Sequence, residues 1–365
     1  MANRILSSMQ FRLRILMVAT VVMQAAMQTM PVVAAEPLRV LKESSTISAK
    51  AQRSVLLSIT HAGNRLVAVG ERGIILLSDD AGQNWRQASS PVSVTLTAVQ
   101  FVNADQGWAV GHLGIVLHSA DGGETWTRQL DGIRAAELMM EQAKQSGNGQ
   151  AIKNAEWLVA DGPDKPFLDL AFIDQSTGFI TGAYGLIFMT RDGGKTWLPW
   201  AQHLSNDSSL HLNGITANGK NIFIVGERGL LLRSLDGGET FATMESPYEG
   251  SFFGALSTGA GDVLIYGLRG NAYLSRNNGE SWQKVSIKTD AAISSAAQRR
   301  DGSLLLASQA GEVFTNRGGG ASFETLPWRG AGSVSDITET PAGELSAVGL
   351  HGLERAPLDQ GAAAE

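Results

Sequence analysis

The chain has 365 residues and no cysteine, which excludes disulfides, thiolate metal sites, a cysteine nucleophile and lipid attachment at an N-terminal cysteine. Its 29 basic and 35 acidic residues give a formal net charge of −6, a balance that argues against nucleic acid, whose phosphates require a basic footprint. The 42 glycines stand at recurring turn positions rather than in one low-complexity tract.

Residues 1–35 read as a signal peptide. Arg4, Arg12 and Arg14 precede a mostly apolar run from Ile15 to Met27, and Val33-Ala34-Ala35 offers the small residues a signal peptidase reads. The run is shorter than the roughly 20 residues of a bilayer-spanning helix. Cleavage after Ala35 and a periplasmic location are expected. Without that leader, 26 basic residues face 35 acidic ones, a net charge of −9.

From Arg65 onward the chain repeats one pattern: strand end, tight turn, short apolar strand, second turn, aromatic. The first turn opens at Gly70, Gly111, Gly182, Gly226, Gly267, Ser308 and Gly349, at intervals of 41, 71, 44, 41, 41 and 41 residues. A glycine follows three residues later each time, from Gly73 and Gly114 through Gly352. A period of 41 with several short strands per unit predicts an all-β, seven-bladed β-propeller of four-stranded blades over residues 36–357, with 358–365 as a polar tail. The seventh repeat has only three strand segments, near Val334, Leu345 and Leu353. An open blade edge would leave backbone groups unpaired, so Leu38–Leu41 is expected to supply its outer strand.

The long interval is an insertion, residues 131–166, between blades two and three. Its first part, from Arg134 to Ser146, is rich in Ala, Glu, Leu, Met and Gln, and Gly162-Pro163 ends the pattern, so a short helical excursion is predicted.

The second turn carries Ser/Thr-x-Asp-x-Gly-x-x-Trp. It appears as Asp80, Gly82, Trp85; Asp121, Gly123, Trp126; Asp192, Gly194, Trp197; Asp236, Gly238, Phe241; and Asn277, Gly279, Trp282. A short Asp or Asn accepts hydrogen bonds from N–H groups of its own turn, glycine supplies a positive φ, and the aromatic ring buries between blades. An aspartate repeated in successive blades cannot be a single catalytic acid, so these residues are scaffold. They match the Asp-box, or BNR, repeat. Gly194-Lys195-Thr196 lies on such a turn and lacks the first glycine of a phosphate loop.

The first turn varies at its two central residues. In a four-stranded blade this turn and the blade-to-blade loop emerge on one face, and the Asp-box turn on the other. The insertion is therefore expected to overhang the face carrying Arg72, Arg228, Arg269, His112, Tyr184 and His351. Arginines gathered on one face of an acidic protein suit carboxylate-bearing partners; solvated turn residues with Glu–Arg pairs satisfying one another are the plainer alternative. No histidine or carboxylate cluster has metal-ligand spacing, and no cofactor is implied.

Val69-Gly70-Glu71-Arg72-Gly73-Ile74-Ile75-Leu76 followed by an Asp-box, together with Val225-Gly226-Glu227-Arg228-Gly229 and Thr190-Arg191-Asp192-Gly193-Gly194-Lys195-Thr196-Trp197, resembles the photosystem II assembly and stability factor family. The resemblance spans the expected mature chain. It implies a non-enzymatic assembly factor that binds a membrane protein through a face that includes arginines, with Arg72, Arg228 and Arg269 at the matching turn positions. The partner expected here is a membrane protein or envelope complex, a transporter or, in a phototroph, photosystem II. The alternative is an Asp-box glycosidase. Sialidases need three arginines, a tyrosine nucleophile with a supporting glutamate, and an aspartate. Arg72, Arg228 and Arg269 could imitate the first, with Tyr184 near Glu71 or Glu227, but the Arg-Ile-Pro motif those enzymes share is absent.

Overall fold

Alternation in the innermost strands, unbroken burial in the second strands and short exposed outer strands set the architecture of the body that begins at Val40. It was analysed in a computed structural model that describes residues 38–316, 320–328, 330 and 332–358. Seven antiparallel sheets follow one another along the chain. Six have four strands and the seventh, among the described residues, has three. Blade one shows the pattern: Leu56–Ala62, Arg65–Gly70, Ile75–Ser78 and Arg86–Ala88 pair in sequence order. Val67, Ala68 and Val69 are fully buried because neighbouring blades cover both faces of the second strand. Sequence and structure agree on a seven-bladed propeller.

The repeated turn forms the predicted hydrogen bonds. Ser119 Oγ donates to Asp121 Oδ1 (2.9 Å) and accepts from the Gly123 N–H (2.8 Å), while Asp121 Oδ1 accepts the Thr125 N–H at 2.9 Å. The same three bonds recur around Asp192 and Asp236. The aromatic then seals the joint: Phe241 of blade four meets Phe179 of blade three edge-on at 6.2 Å, and Trp282 of blade five meets Phe223 of blade four at 6.5 Å.

Every innermost strand carries a one-residue irregularity in register, after which Ser58, Ala98, Asp169, Gly214, Gly254, Ser295 and Asp336 occupy equivalent positions around the axis. This layer stitches blades together. Asp169 Oδ2 accepts the Ile215 N–H of the next blade at 2.8 Å. Asp336 Oδ2 accepts the Ile59 N–H (2.9 Å) and the Ser58 hydroxyl (3.1 Å) of blade one, and its Oδ1 accepts from Ser295 Oγ of blade six at 2.6 Å. The last blade is thereby joined to the first. Val348 and Leu353 pack at the same joint with Leu56, Ile59 and Trp85.

The expected outer strand of blade seven is not formed by the N-terminal segment. Val40 and Leu41 end a 3-10 turn at the joint of blades one and two instead. Val40 O accepts the Ser93 N–H at 2.9 Å, and Leu41 is buried with Val92, Val94 and Ile115. Two consecutive apolar side chains enter one crevice, which an alternating strand could not achieve. The chain then follows the outer strand of blade one, where Gln87 bonds to Ser48 and Thr46, before Ala51–Arg53 reaches the third strand of blade seven. Leu358, the first residue of the expected polar tail, is buried against blades six and seven.

The insertion is two helices, α1 (Gly132–Ser146) and α2 (Gly149–Asp161). Asp131 caps the first by accepting the Ile133 and Arg134 N–H groups, and Asn148 caps the second through Gln150 and Ala151. Gly147, at φ 66°, turns between them.

Replacing Asp336 with alanine leaves the Ile59 and Ile337 N–H groups and two hydroxyls without their acceptor. A loss of about 3 kcal/mol is expected, read as a lower midpoint in urea unfolding. Asp169 gives a pH signature. Burial pushes its carboxyl up to about 7, above its ordinary value, so the folded state holds a proton that the unfolded chain has released. Its contribution to stability is present below about pH 4 and is lost as pH rises toward 7. Asp169→Asn should flatten the decline in melting temperature between pH 5 and 8.

Candidate turn face and insertion groove

The first turns are built alike in blades one to five. In blade one the Gly70 N–H donates to Ile74 O (3.1 Å) and the Ile74 N–H to Glu71 O (3.0 Å). Gly73 has φ +70° and a Cβ there would meet Val92 O at 2.1 Å, so this position admits glycine alone. The residue before it is left-handed too, although it is not glycine: Arg72 (φ 54°), Leu113 (56°), Tyr184 (56°), Arg228 (51°) and Arg269 (55°). An L-residue in this conformation costs of order 1 kcal/mol.

All six predicted site residues, Arg72, His112, Tyr184, Arg228, Arg269 and His351, are exposed and lie on the first-turn face, spread over blades one, two, three, four, five and seven. The insertion shares this face: Gly132 abuts Gly114 and Leu113 O. The structure does not gather the six into one cluster. It connects Tyr184 to the turn of Arg228, because the Tyr184 ring lies against His211 (4.8 Å) and His211 Nδ1 contacts Glu227 at 2.8 Å.

Of the plainer alternative, the solvated turn residues are seen, but Glu71 and Glu227 spend their hydrogen bonds elsewhere than on the turn arginines. Glu71 Oε1 accepts the Val55 N–H at 3.2 Å, and Glu227 Oε2 accepts the His211 N–H at 2.8 Å. These carboxylates fasten the turn to the entry of the innermost strand, and the His211 backbone bond, then its ring, holds the Glu227 carboxyl below the ordinary glutamate value. The guanidinium groups of Arg72, Arg228 and Arg269 make no hydrogen bond or ion pair among the described residues. The Tyr184–glutamate pair considered for a glycosidase is likewise absent from the hydrogen bonds of the two carboxylates.

Between the insertion and blade three lies a groove of about 490 Å³, lined by Met139, Trp157, Leu158, Tyr184 and Leu204 among others. Trp157 is 65% exposed and Tyr184 59% exposed, high values for rings of this size. Lys165 sits 5.4 Å from the Tyr184 ring centroid and is held by Asp161 (3.1 Å) and Asp164. Sequence reasoning missed Lys165, His211 and Trp157. Trp157 carried a signal, a lone tryptophan in the helical insertion; the other two are set by tertiary contacts.

Fold and turn geometry define an Asp-box β-propeller with a decorated first-turn face. The sequence model of the family described as Photosynthesis system II assembly factor YCF48 matches residues 53–134 and 150–351, and the chain belongs to this family. It is 35% identical over 77 residues to the Photosystem II assembly lipoprotein Ycf48 of Synechococcus sp. (strain CC9902), covering 21% of this chain and 23% of that protein. The chain spans under a quarter of the length of the curated relatives it matches, at 23%, 23% and 21%. Among solved structures, "YCF48 bound to D1 peptide" is similar with a TM-score of 0.63 at 16% identity, over 87% of this chain and 97% of that one. The GH74 xyloglucanase of Xanthomonas campestris has a TM-score of 0.62 at 14% identity, over 88% and 54% of the two chains. At such identities these two likenesses concern the fold.

A strained, exposed residue with no hydrogen bond or ion pair contributes little to folding. Arg228→Gly is therefore expected to leave the unfolding midpoint unchanged or raise it, within about 1 kcal/mol. A marked loss of stability in thermal unfolding would mean that the arginine has a structural partner.

Proposed function

We propose that this chain is an exported, non-enzymatic assembly factor that binds a membrane protein through its first-turn face in the periplasm. One observation carries the reading: Arg72, Arg228 and Arg269 occupy left-handed turn positions, exposed and without a hydrogen-bonding partner among the described residues. Such placement spends conformational energy on side chains that the fold does not use, and strain of this kind concentrates at functional sites. Arginine's planar fork suits carboxylates, and the acidic balance of the rest of the chain leaves these turns as distinct positive points. Family membership supports an assembly role, and a relative described as bound to a D1 peptide supports a peptide segment as the ligand. The leader-like residues 1–35 support export; they lie outside the described residues. His112, Tyr184 and His351 border the same face and are assigned to it as secondary contacts.

The test is crosslinking and capture from the native membrane fraction, comparing the wild type with Arg72→Glu/Arg228→Glu/Arg269→Glu. Loss of one defined membrane partner, with an unchanged circular dichroism spectrum, is the expected result. An identical partner set in both samples would remove the arginines from the interface. Glycan hydrolysis by the purified protein would replace the reading with the glycosidase one.

A further inference from the structure

The groove beside blade three adds a second element to that reading, on which it rests. Its larger polar side chains are already engaged within the protein. Gln142 Nε2 donates to Pro199 O at 2.9 Å, and Asn206 bonds to Leu210 through both its oxygen and its nitrogen. Lys165 is neutralised by Asp161 and Asp164. A small polar ligand would find little left to orient it. What the groove offers is shape and apolar surface, in a volume of about 490 Å³ that holds several side chains.

Its rim carries the two most exposed aromatic rings of the described residues, Trp157 and Tyr184. Large aromatics held in a concave setting are typical anchors of protein interfaces, because they bring much contact area with few rotatable bonds. The Tyr184 ring leads through His211 and Glu227 to Arg228, whose guanidinium is exposed, lies in the field of the Glu227 carboxylate and makes no hydrogen bond or ion pair among the described residues. Unlike Lys165, which two carboxylates hold in ion pairs, Arg228 is not ion-paired: the Glu227 carboxylate beside it bonds to His211 instead, and the guanidinium stays open to a ligand. An apolar groove on blade three and an exposed cation on blade four are thus linked by one chain of contacts.

We infer that the groove between α1, α2 and blade three seats an apolar side chain of an extended peptide segment, while an acidic side chain of the same segment pairs with Arg228. The insertion then sets which segment is chosen, and the arginine sets its direction and register. An acidic segment without an apolar residue, or an apolar one without a carboxylate, makes half of the contacts.

The experiment is panning of a displayed library of random 12-residue peptides against the purified protein, followed by fluorescence anisotropy on synthetic copies of the enriched sequences. The wild type is expected to enrich peptides that carry an apolar residue a few positions from Asp or Glu. Trp157→Ala, and Asn154→Trp, which fills the groove from an exposed helical position, should each raise Kd about tenfold or more. Arg228→Ala should weaken binding similarly and, unlike the groove variants, reduce its dependence on salt. Both groove substitutions fall on exposed residues of α2, and circular dichroism checks that each variant is folded. Acidic peptides bound equally by the wild type and both groove variants, but lost with the arginines, would overturn the groove assignment and leave the arginine face standing. No enriched peptide would also overturn it. If, in addition, the arginine triple variant captured the same membrane partner as the wild type, both readings would fall.

Discussion

The carboxylate of Asp336 does for this ring what no covalent bond does. Six of the seven joints between blades are crossed by a loop from one blade to the next, whereas at the joint from blade seven to blade one the two ends of the ring meet, with Ala51–Arg53 lying on the third strand of blade seven before the chain enters blade one. At that joint one buried carboxylate accepts from Ile59, Ser58, Ser295 and Ile337, and so ties blades six, seven and one together. Hydrogen bonds to a charged acceptor contribute about 1.5–3 kcal/mol each, and an N–H left bare in the interior costs a similar amount. Burial pushes the Asp336 carboxyl up, and its four donors oppose the shift. The donors thus offset part of the cost of burying this carboxylate.

Asp336 is the strongest case of a device used around the axis. Asp169 reaches from blade three to Ile215 of blade four. Elsewhere the residue displaced by the register shift takes over: Thr97 donates to Phe167 O, Asn213 to Phe252 O and Ser294 to Val334 O, at 2.7–2.8 Å. Between blades five and six the Tyr266 hydroxyl interacts with the Ala296 backbone, in space that opens because Gly254 lacks a Cβ. The joints thus share one location but not one residue type. With the innermost layer fixed in this way, turns on the outer faces can hold left-handed arginines without loosening the blades.

What the sequence made legible follows from which features repeat. The seven blades, the Asp-box bonds and the helical character of the insertion were readable because glycine spacing, turn chemistry and helix propensity act locally; its division into two helices at Gly147 was not. The fourth strand of blade seven was misassigned because the apolar character of Val40 and Leu41 fits a strand or a crevice equally well; contact with Val92 and Ile115 decides it. The turn arginines were located correctly on one face, since strand order fixes which loops share an end. Their freedom was not readable, because a Glu-Arg pair in sequence gives no sign that Glu71 turns inward to the Val55 N–H. Lys165, His211 and the groove depend on how the insertion folds back over blade three, which no local pattern encodes.

Departures from a repeat therefore divide by their hydrogen-bond partners. At the axial layer, Asp169 and Asp336 stand where other blades place serine, alanine or glycine, and each is bonded to its neighbouring blade. Their irregularity mends a joint. At the first turn, Arg72, Arg228 and Arg269 stand at an equally fixed position, yet their side chains end in solvent. Glu227, one residue before Arg228, shows that this turn can absorb a charged group when the fold has a use for it. The same backbone thus sorts adjacent residues into one that holds the ring and one that is left over from it. The carboxylate is bonded into the ring, and the guanidinium beside it ends in solvent without a hydrogen bond or ion pair among the described residues.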